Sequence, residues 1–210
     1  MSRHPLSDGW SLDWSWAGSG LEPESGDVAV LTPFAGGALI AAIDGLGHGP
    51  RAALAARAAA ALLEGRAADP LGDLMRHCHE NLRKTRGVVM SVASFSAQSK
   101  SLTWCGVGNV EAMLFRPTAL GSHSREAVLL QGGVVGYQMP RVRIFTVPIA
   151  AGDLLVMATD GIKSGFARKI DAGAPPEQTA KGILASHSRG TDDALVSVTR
   201  FEQFAAAAGT

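Results

Sequence analysis

The chain has 210 residues, 46% of them hydrophobic, with 19 basic and 19 acidic side chains. That length and apolar content can bury one large core, and the balanced charge supplies no basic stripe for nucleic acid. No run reaches the ~18 apolar residues of a membrane span, because Arg51, Arg57, Glu64 and Arg66 interrupt the best candidate.

The amino terminus places Trp10, Trp14 and Trp16 among polar residues and has no signal-peptide apolar region. In the segment Glu24 to Leu31 a carboxylate, Asp27, opens a strand-like run. The run Leu39 to Ile43 instead closes on a carboxylate, Asp44, followed by the turn Gly45-Leu46-Gly47-His48-Gly49. Glycine there lets the backbone turn sharply and turn a carbonyl toward whatever the carboxylate binds. Pro50 suits the first turn of a helix, and Ala52–Leu63 has strong helix propensity. Asp69-Pro70 reads as an N-cap followed by a first-turn proline, opening a second helix through about Arg86. Leu71, Leu74, Met75, Cys78 and Leu82 space to one face of it. His77 and His79 flank Cys78 and project from different faces, as surface or interface residues and not a zinc site. Cys78 and Cys105 have no metal-type spacing and read as reduced, partly buried cysteines of a cytosolic protein.

After Gly87 the pattern shifts to short β-like runs: Val88–Phe95, Leu102–Val107, Val110–Phe115, Val128–Gln131 and Val142–Val147. Gly108-Asn109 reads as a turn between two of them; alternatively, Asn109 approaches a bound water or phosphate. A further apolar run, Leu154 to Ala158, leads to Thr159-Asp160-Gly161. Residues 162–187 read as mostly helical, broken at Ala172-Gly173-Ala174-Pro175-Pro176. Gly190-Thr191-Asp192-Asp193 enters the last strand, Ala194–Arg200, and the tail Ala205–Thr210 is expected to fray. No repeat or low-complexity linker appears, so residues 1–210 are expected to form a single domain.

Each acid thus sits at one end of an expected strand. Taken singly, Asp-Gly is a turn signal, Asp27 a solvated strand start, and Asp192-Asp193 a cap or exposed turn. If the strand ends converge, four carboxylates crowd one pocket and cannot all stay ionised without a countercharge. Two divalent cations would balance them, and hard cations take oxygen ligands from carboxylates, backbone carbonyls and water. A dinuclear hard-metal site is the natural reading.

Gly26-Asp27, Asp44-Gly45-Leu46-Gly47-His48-Gly49, Gly106-Val107-Gly108-Asn109-Val110-Glu111-Ala112, Thr159-Asp160-Gly161 and Thr191-Asp192-Asp193-Ala194, in this order, resemble the metal-dependent PPM phosphatases. Within them the chain looks like the sporulation-type, SpoIIE-like branch, and most like its stressosome serine phosphatases. The resemblance covers roughly residues 20 to 202. It implies an α/β (α+β) fold, a four-layer αββα sandwich of two mainly antiparallel sheets flanked by helices. It also implies a protein phosphatase acting on phosphoserine or phosphothreonine with two Mn²⁺ or Mg²⁺ ions. Residue by residue, it makes Asp27, Asp44, Asp160 and Asp192 the catalytic metal ligands, with the Gly45 carbonyl. Asp193 replaces Asp192 if the register slips by one. Leu195 stands where threonine is usual, a departure that touches no ligand. Other branches carry a histidine acid directly after Asp-Gly, but here Leu46 takes that place, so the role is not transferred to His48. Arg51 and Arg57 read as helix-surface charges, with Arg51 near enough to the acidic strand end to meet a phosphate.

The chemistry expected is metal-assisted hydrolysis with water as nucleophile. The resemblance implies a phosphorylated STAS-domain stressosome protein as partner; the composition leads us to expect a cytoplasmic protein with no nucleic-acid or membrane partner, and a monomer is expected. Two other classes stay open: a non-catalytic binding module on the same fold, and a two-metal phosphoesterase for a small phosphate ester.

Overall fold

A computed structural model describes residues 2–118, 123–168 and 170–204. Two sheets stack face to face. The first runs β1 (Ser2–Pro5), β2 (Trp10–Ser19), β12 (Ala194–Gln203), β11 (Leu154–Ala158), β7 (Glu111–Pro117) and β8 (His123–Ala127). The second runs β10 (Phe145–Pro148), β6 (Ser101–Val107), β5 (Val88–Ser96), β4 (Gly37–Gly45) and β3 (Asp27–Phe34). All these pairings are antiparallel, and the two-residue β9 (Leu130–Gln131) adds to β6 in parallel. Helices α1 (Pro50–Glu64) and α2 (Leu71–Asn81) cover the outer face of the second sheet, and α3 (Pro176–His187) covers the first. This is the four-layer αββα sandwich expected.

Three apolar layers follow from the period-two patterning of the strands. Between the sheets, Trp10 packs edge-on to Phe95 with ring centroids 5.1 Å apart, and Phe95 meets Phe201 at 5.0 Å. Alternate residues of β4, Leu39, Ala41 and Ile43, face the other way, onto α1 and α2. Six alanines on the buried side of α1 let its backbone lie close to β4, and they end on the buried Leu63. That closeness fixes Gly45: a methyl group there would stand 2.2 Å from the Ala52 carbonyl oxygen. Gly45 is required by close approach, since its φ is not positive.

The structure departs from the sequence reading in several elements. The amino-terminal segment forms β1 and β2, and β2 pairs with β12 from Trp10↔Gln203 to Ser19↔Ala194. Helix α2 starts after Pro70 and stops at Asn81. Asp69 is drawn to Arg66 instead of capping the helix, and the Thr85 hydroxyl donates to the Leu82 carbonyl in the turn that follows. Among the described residues of 162–175 the helical element is a 3₁₀ turn, Phe166–Arg168, which Gly165 at φ 92° precedes, and α3 begins at Pro176, after the expected break. The expected strand Val128–Gln131 shrinks to two paired residues, and β8 forms where no strand was expected. The tail 205–210 lies outside the described residues. Cys78 and Cys105 are fully buried, and burial pushes both thiols up to about 12, far from the thiolate form.

Candidate metal centre

Antiparallel pairing places Asp27, the first residue of β3, directly opposite Asp44, the penultimate residue of β4. Asp160 follows β11 by two residues, and Asp192 precedes β12 by two. Because β11 and β12 are antiparallel neighbours, these two acids leave the first sheet at the same end. The stacking of the sheets sets that end against the start of β3. A hydrogen bond joins them there: the Thr159 hydroxyl donates to the Asp27 carboxylate at 2.7 Å while accepting the Leu195 N–H at 2.9 Å.

Asp44, Asp160 and Asp192 line one cleft of about 380 Å³, walled by Leu46, Gly47, Val89, Asn109 and the Gly132–Val134 turn. Asp27 lies at 9% exposure beside it. Larger depressions exist, including one of about 520 Å³ between the 3₁₀ turn and α3, but each is lined by at most one carboxylate. The acids of the cleft are therefore what distinguishes it.

Burial and mutual repulsion dominate the electrostatics of these acids. Burial, then the neighbouring carboxylates, outweighs the Thr159 hydrogen bond and raises Asp27 from 3.8 to about 7. Asp44 rises to about 8, through burial first and then Asp27. Its carboxylate receives no hydrogen bond among the described residues. Asp160 is raised by partial burial and by Asp192, against the pull of Arg189 and the Asn109 amide. Asp193 also acts on Asp27 and Asp44, Arg189 pulls against the rise at Asp160, and the Arg86 guanidinium reaches the Leu46 carbonyl on the cleft wall. Carboxylates crowded at this range favour a bound positive charge. The donors are all oxygen, and the Gly45 backbone closes the β4 end beside Asp44, so the residues present fit hard cations. Among the described residues no three acidic, histidine or cysteine side chains close into a one-ion cage. Ions here would complete their shells with backbone carbonyl and water, as Mg²⁺ commonly does.

The structure places the other residues singled out in the sequence as follows. Asp193 is 3% exposed and turned away from the cleft toward the loop before β3, whereas Asp192 faces the cleft. Asn109 donates to the Asp160 carboxylate at 2.7 Å, so it orients that acid. His48 is exposed and bonded to Glu22, and Leu46 lines the cleft in its stead. Arg57 pairs with Glu24 on the surface, while Arg51 is exposed. His79 is more than a surface residue: its Nδ1 accepts the Gly136 N–H at 3.0 Å, tying α2 to the loop behind the cleft wall. The sequence reading assigned nothing to Thr159 or Arg189. The Arg189 Nε donates to the Asp160 carbonyl at 2.8 Å. Their proximity to Asp-Gly and Asp-Asp was visible, but Asp27, which Thr159 meets, lies on the other sheet, and Asp160, which Arg189 meets, is distant along the chain.

Comparison with known proteins shows the family and the fold. The family model for stage II sporulation protein E (SpoIIE) matches residues 35–202. The phosphoserine phosphatase RsbX of Bacillus subtilis (strain 168) is 24% identical over 124 residues, which are 59% of this chain and 60% of that protein. A chain solved under the heading of the bacterial stressosome, a modular system adapted to control secondary messenger signaling, is 28% identical with a TM-score of 0.79. That superposition covers 90% of this chain and 99% of the other. RsbX in complex with magnesium superposes with a TM-score of 0.80 at 18% identity, over 96% of this chain and 99% of that one, a likeness of fold. No helix among the described residues is long and apolar enough to cross a membrane. The chain belongs to the SpoIIE family.

Proposed function

We propose that this SpoIIE-family chain is a metal-dependent protein phosphatase that hydrolyses phosphoserine or phosphothreonine on the STAS domain of a stressosome protein. The observation that carries the reading is the convergence, from two different sheets, of Asp27, Asp44, Asp160 and Asp192 on one end of the sandwich. These four carboxylates and the Gly45 carbonyl are the groups that would hold two Mn²⁺ or Mg²⁺ ions. When bound, such ions act as Lewis acids that bring water to its nucleophilic form near neutral pH and offset charge on the phosphoryl oxygens.

The protein's own part is preorganisation. Asp27 and Asp44 sit on rigid strand ends, so their carboxylates are held in place before substrate arrives. Thr159 and Asn109 fix the orientation of Asp27 and Asp160 through single hydrogen bonds. Arg189, anchored by its Nε to the Asp160 main chain, holds a positive charge beside that acid, the kind of charge that attracts a phosphate dianion. The cleft is open and small, which suits a phosphoserine presented on the surface of a folded partner. The likeness to a phosphoserine phosphatase, and to a chain solved in work on the bacterial stressosome, supports the choice of substrate. We read residues 1–210 as one phosphatase domain, acting as a monomer in the cytoplasm.

Protein stripped of metal and assayed on a phosphorylated STAS domain and on an aryl phosphate tests both halves. Turnover should be absent in chelator and return with Mn²⁺ or Mg²⁺, with the higher kcat/KM on the STAS protein. Full activity in excess chelator would refute the metal chemistry, and a preference for the aryl phosphate would refute the substrate.

A further inference from the structure

Asp193 is nearly inaccessible, yet its carboxylate is the most heavily engaged near the cleft. One oxygen accepts the Leu21 N–H at 2.7 Å and the other the Gly26 N–H at 2.6 Å. The Gly26 carbonyl in turn accepts the Gly45 N–H at 3.0 Å. There is no slack around this relay. A methyl group on Gly26 would lie 3.0 Å from the Ala52 methyl, 3.2 Å from the Asp193 carboxylate and 3.3 Å from the Gly45 carbonyl oxygen. On its other side the Asp193 backbone presses against the second Asp-Gly turn, since a methyl on Gly161 would stand 1.9 Å from the Asp193 carbonyl oxygen. The Asp193 N–H donates to Asp192 at 2.9 Å. One residue thus touches the chain beside Asp27, Asp160 and Asp192 directly, and beside Asp44 through Gly26.

We infer that Asp193 is the positioning residue of the cleft: its carboxylate clamps the Leu21–Gly26 loop and so holds Asp27 and the Gly45 carbonyl in register with Asp160 and Asp192. The inference rests on the metal-centre reading above. A carboxylate is needed because two N–H donors point at the same side chain. Asparagine has the same shape but presents one acceptor and one donor group, so it leaves one backbone N–H facing another N–H. Ligand and clamp consequently leave different signatures. Losing a ligand weakens metal binding and leaves the loop ordered. Losing the clamp frees the loop and weakens metal binding as a result.

The experiment compares Asp193→Asn, Asp193→Ala and Asp192→Asn, each checked for fold by circular dichroism. Three quantities are read: hydrogen exchange at the Leu21 and Gly26 amides, Mn²⁺ affinity by calorimetry, and kinetics across a Mn²⁺ titration. For Asp193→Asn both amides should exchange at least ~10-fold faster, and Mn²⁺ affinity should fall about 10–100-fold, the usual cost of losing a group that orients a ligand. Saturating Mn²⁺ should restore kcat, with KM for the phosphoserine substrate unchanged. Asp192→Asn should lose Mn²⁺ affinity with both amides still protected. Should Asp193→Ala fail to fold, the isosteric asparagine variant decides. Unchanged amide exchange in Asp193→Asn overturns the clamp, and faster exchange with unaltered Mn²⁺ affinity reduces Asp193 to a fold-stabilising residue. Wild-type protein that binds no Mn²⁺ would refute the metal-centre reading instead, and calorimetry of the unmutated chain shows that before any variant is made.

Discussion

Removing the charge of Asp44 without changing its shape should make the metal-free protein more stable while destroying its function. Burial and the facing Asp27 raise the Asp44 carboxyl from 3.8 to about 8. A carboxyl raised on folding keeps in the native state a proton that the unfolded chain has released. Stability from this group is therefore complete below pH 3.8 and is lost as pH climbs through about 8. From pH 5 to pH 8 the wild type should lose at most ~4 kcal/mol, at ~1.4 kcal/mol per pH unit. Asp44 keeps some contact with water, so about 2 kcal/mol is the better expectation. Asp44→Asn carries no charge at either pH, so the gap between variant and wild type should open by that amount. For a domain of this size that is roughly 4–8 °C in melting temperature. Scanning fluorimetry in chelator at pH 5 and pH 8 measures the gap, and added Mg²⁺ should then reverse the order by stabilising only the wild type. A gap that does not widen with pH, or a variant less stable than wild type at pH 8 in chelator, would refute the account of this pair.

Asp160→Asn should lower turnover by orders of magnitude at saturating metal while leaving the circular dichroism spectrum intact; near-wild-type rates would exclude Asp160 as a ligand. Thr159→Val keeps the shape but strands the Leu195 N–H and one oxygen of Asp27, so urea unfolding should show a loss of about 1–3 kcal/mol. Gly161→Ala drives a methyl into the Asp193 backbone and should cost ~1–3 kcal/mol or more, with weaker metal binding by calorimetry. Its control is Gly182→Ala in α3, where nothing lies within 4 Å; melting should show it neutral or stabilised by up to ~1 kcal/mol.

The parts of this protein that were legible beforehand are those whose cause is local. Asp44 closes an apolar run and precedes glycines, so strand end, turn and helix could be placed by propensity, and α1 begins where Pro50 predicts. Ordered spacing also made the acid segments recognisable as one set. The segment Trp10–Ser19 was not read as a strand although its side chains alternate in character. It becomes one by pairing with β12, which arrives more than 170 residues later. The stretch before the expected break at residues 172–176 shows the converse: helix-permitting pieces gave a helical reading, but Gly165 at φ 92° leaves a 3₁₀ turn among the described residues there. Within the site, Thr159 and Asp193 owe their roles to bonds across the sandwich, from the β11 and β12 side to Asp27 and Gly26. No window along the chain contains both ends of those bonds.

Two of the four acids belong to one sheet and two to the other, so ions held among them would also be fasteners between the layers. The cation requirement would then report on how firmly the layers are pressed together. Trimming Phe95 or Phe201, which meet in the middle of the sandwich, leaves every acid in place but loosens the gap the ions must span. Such variants should first show themselves as enzymes that need more magnesium, and only later as proteins that unfold. Heating should act in the same order: activity fades by release of the ions while the strands are still paired, and extra cation delays the loss.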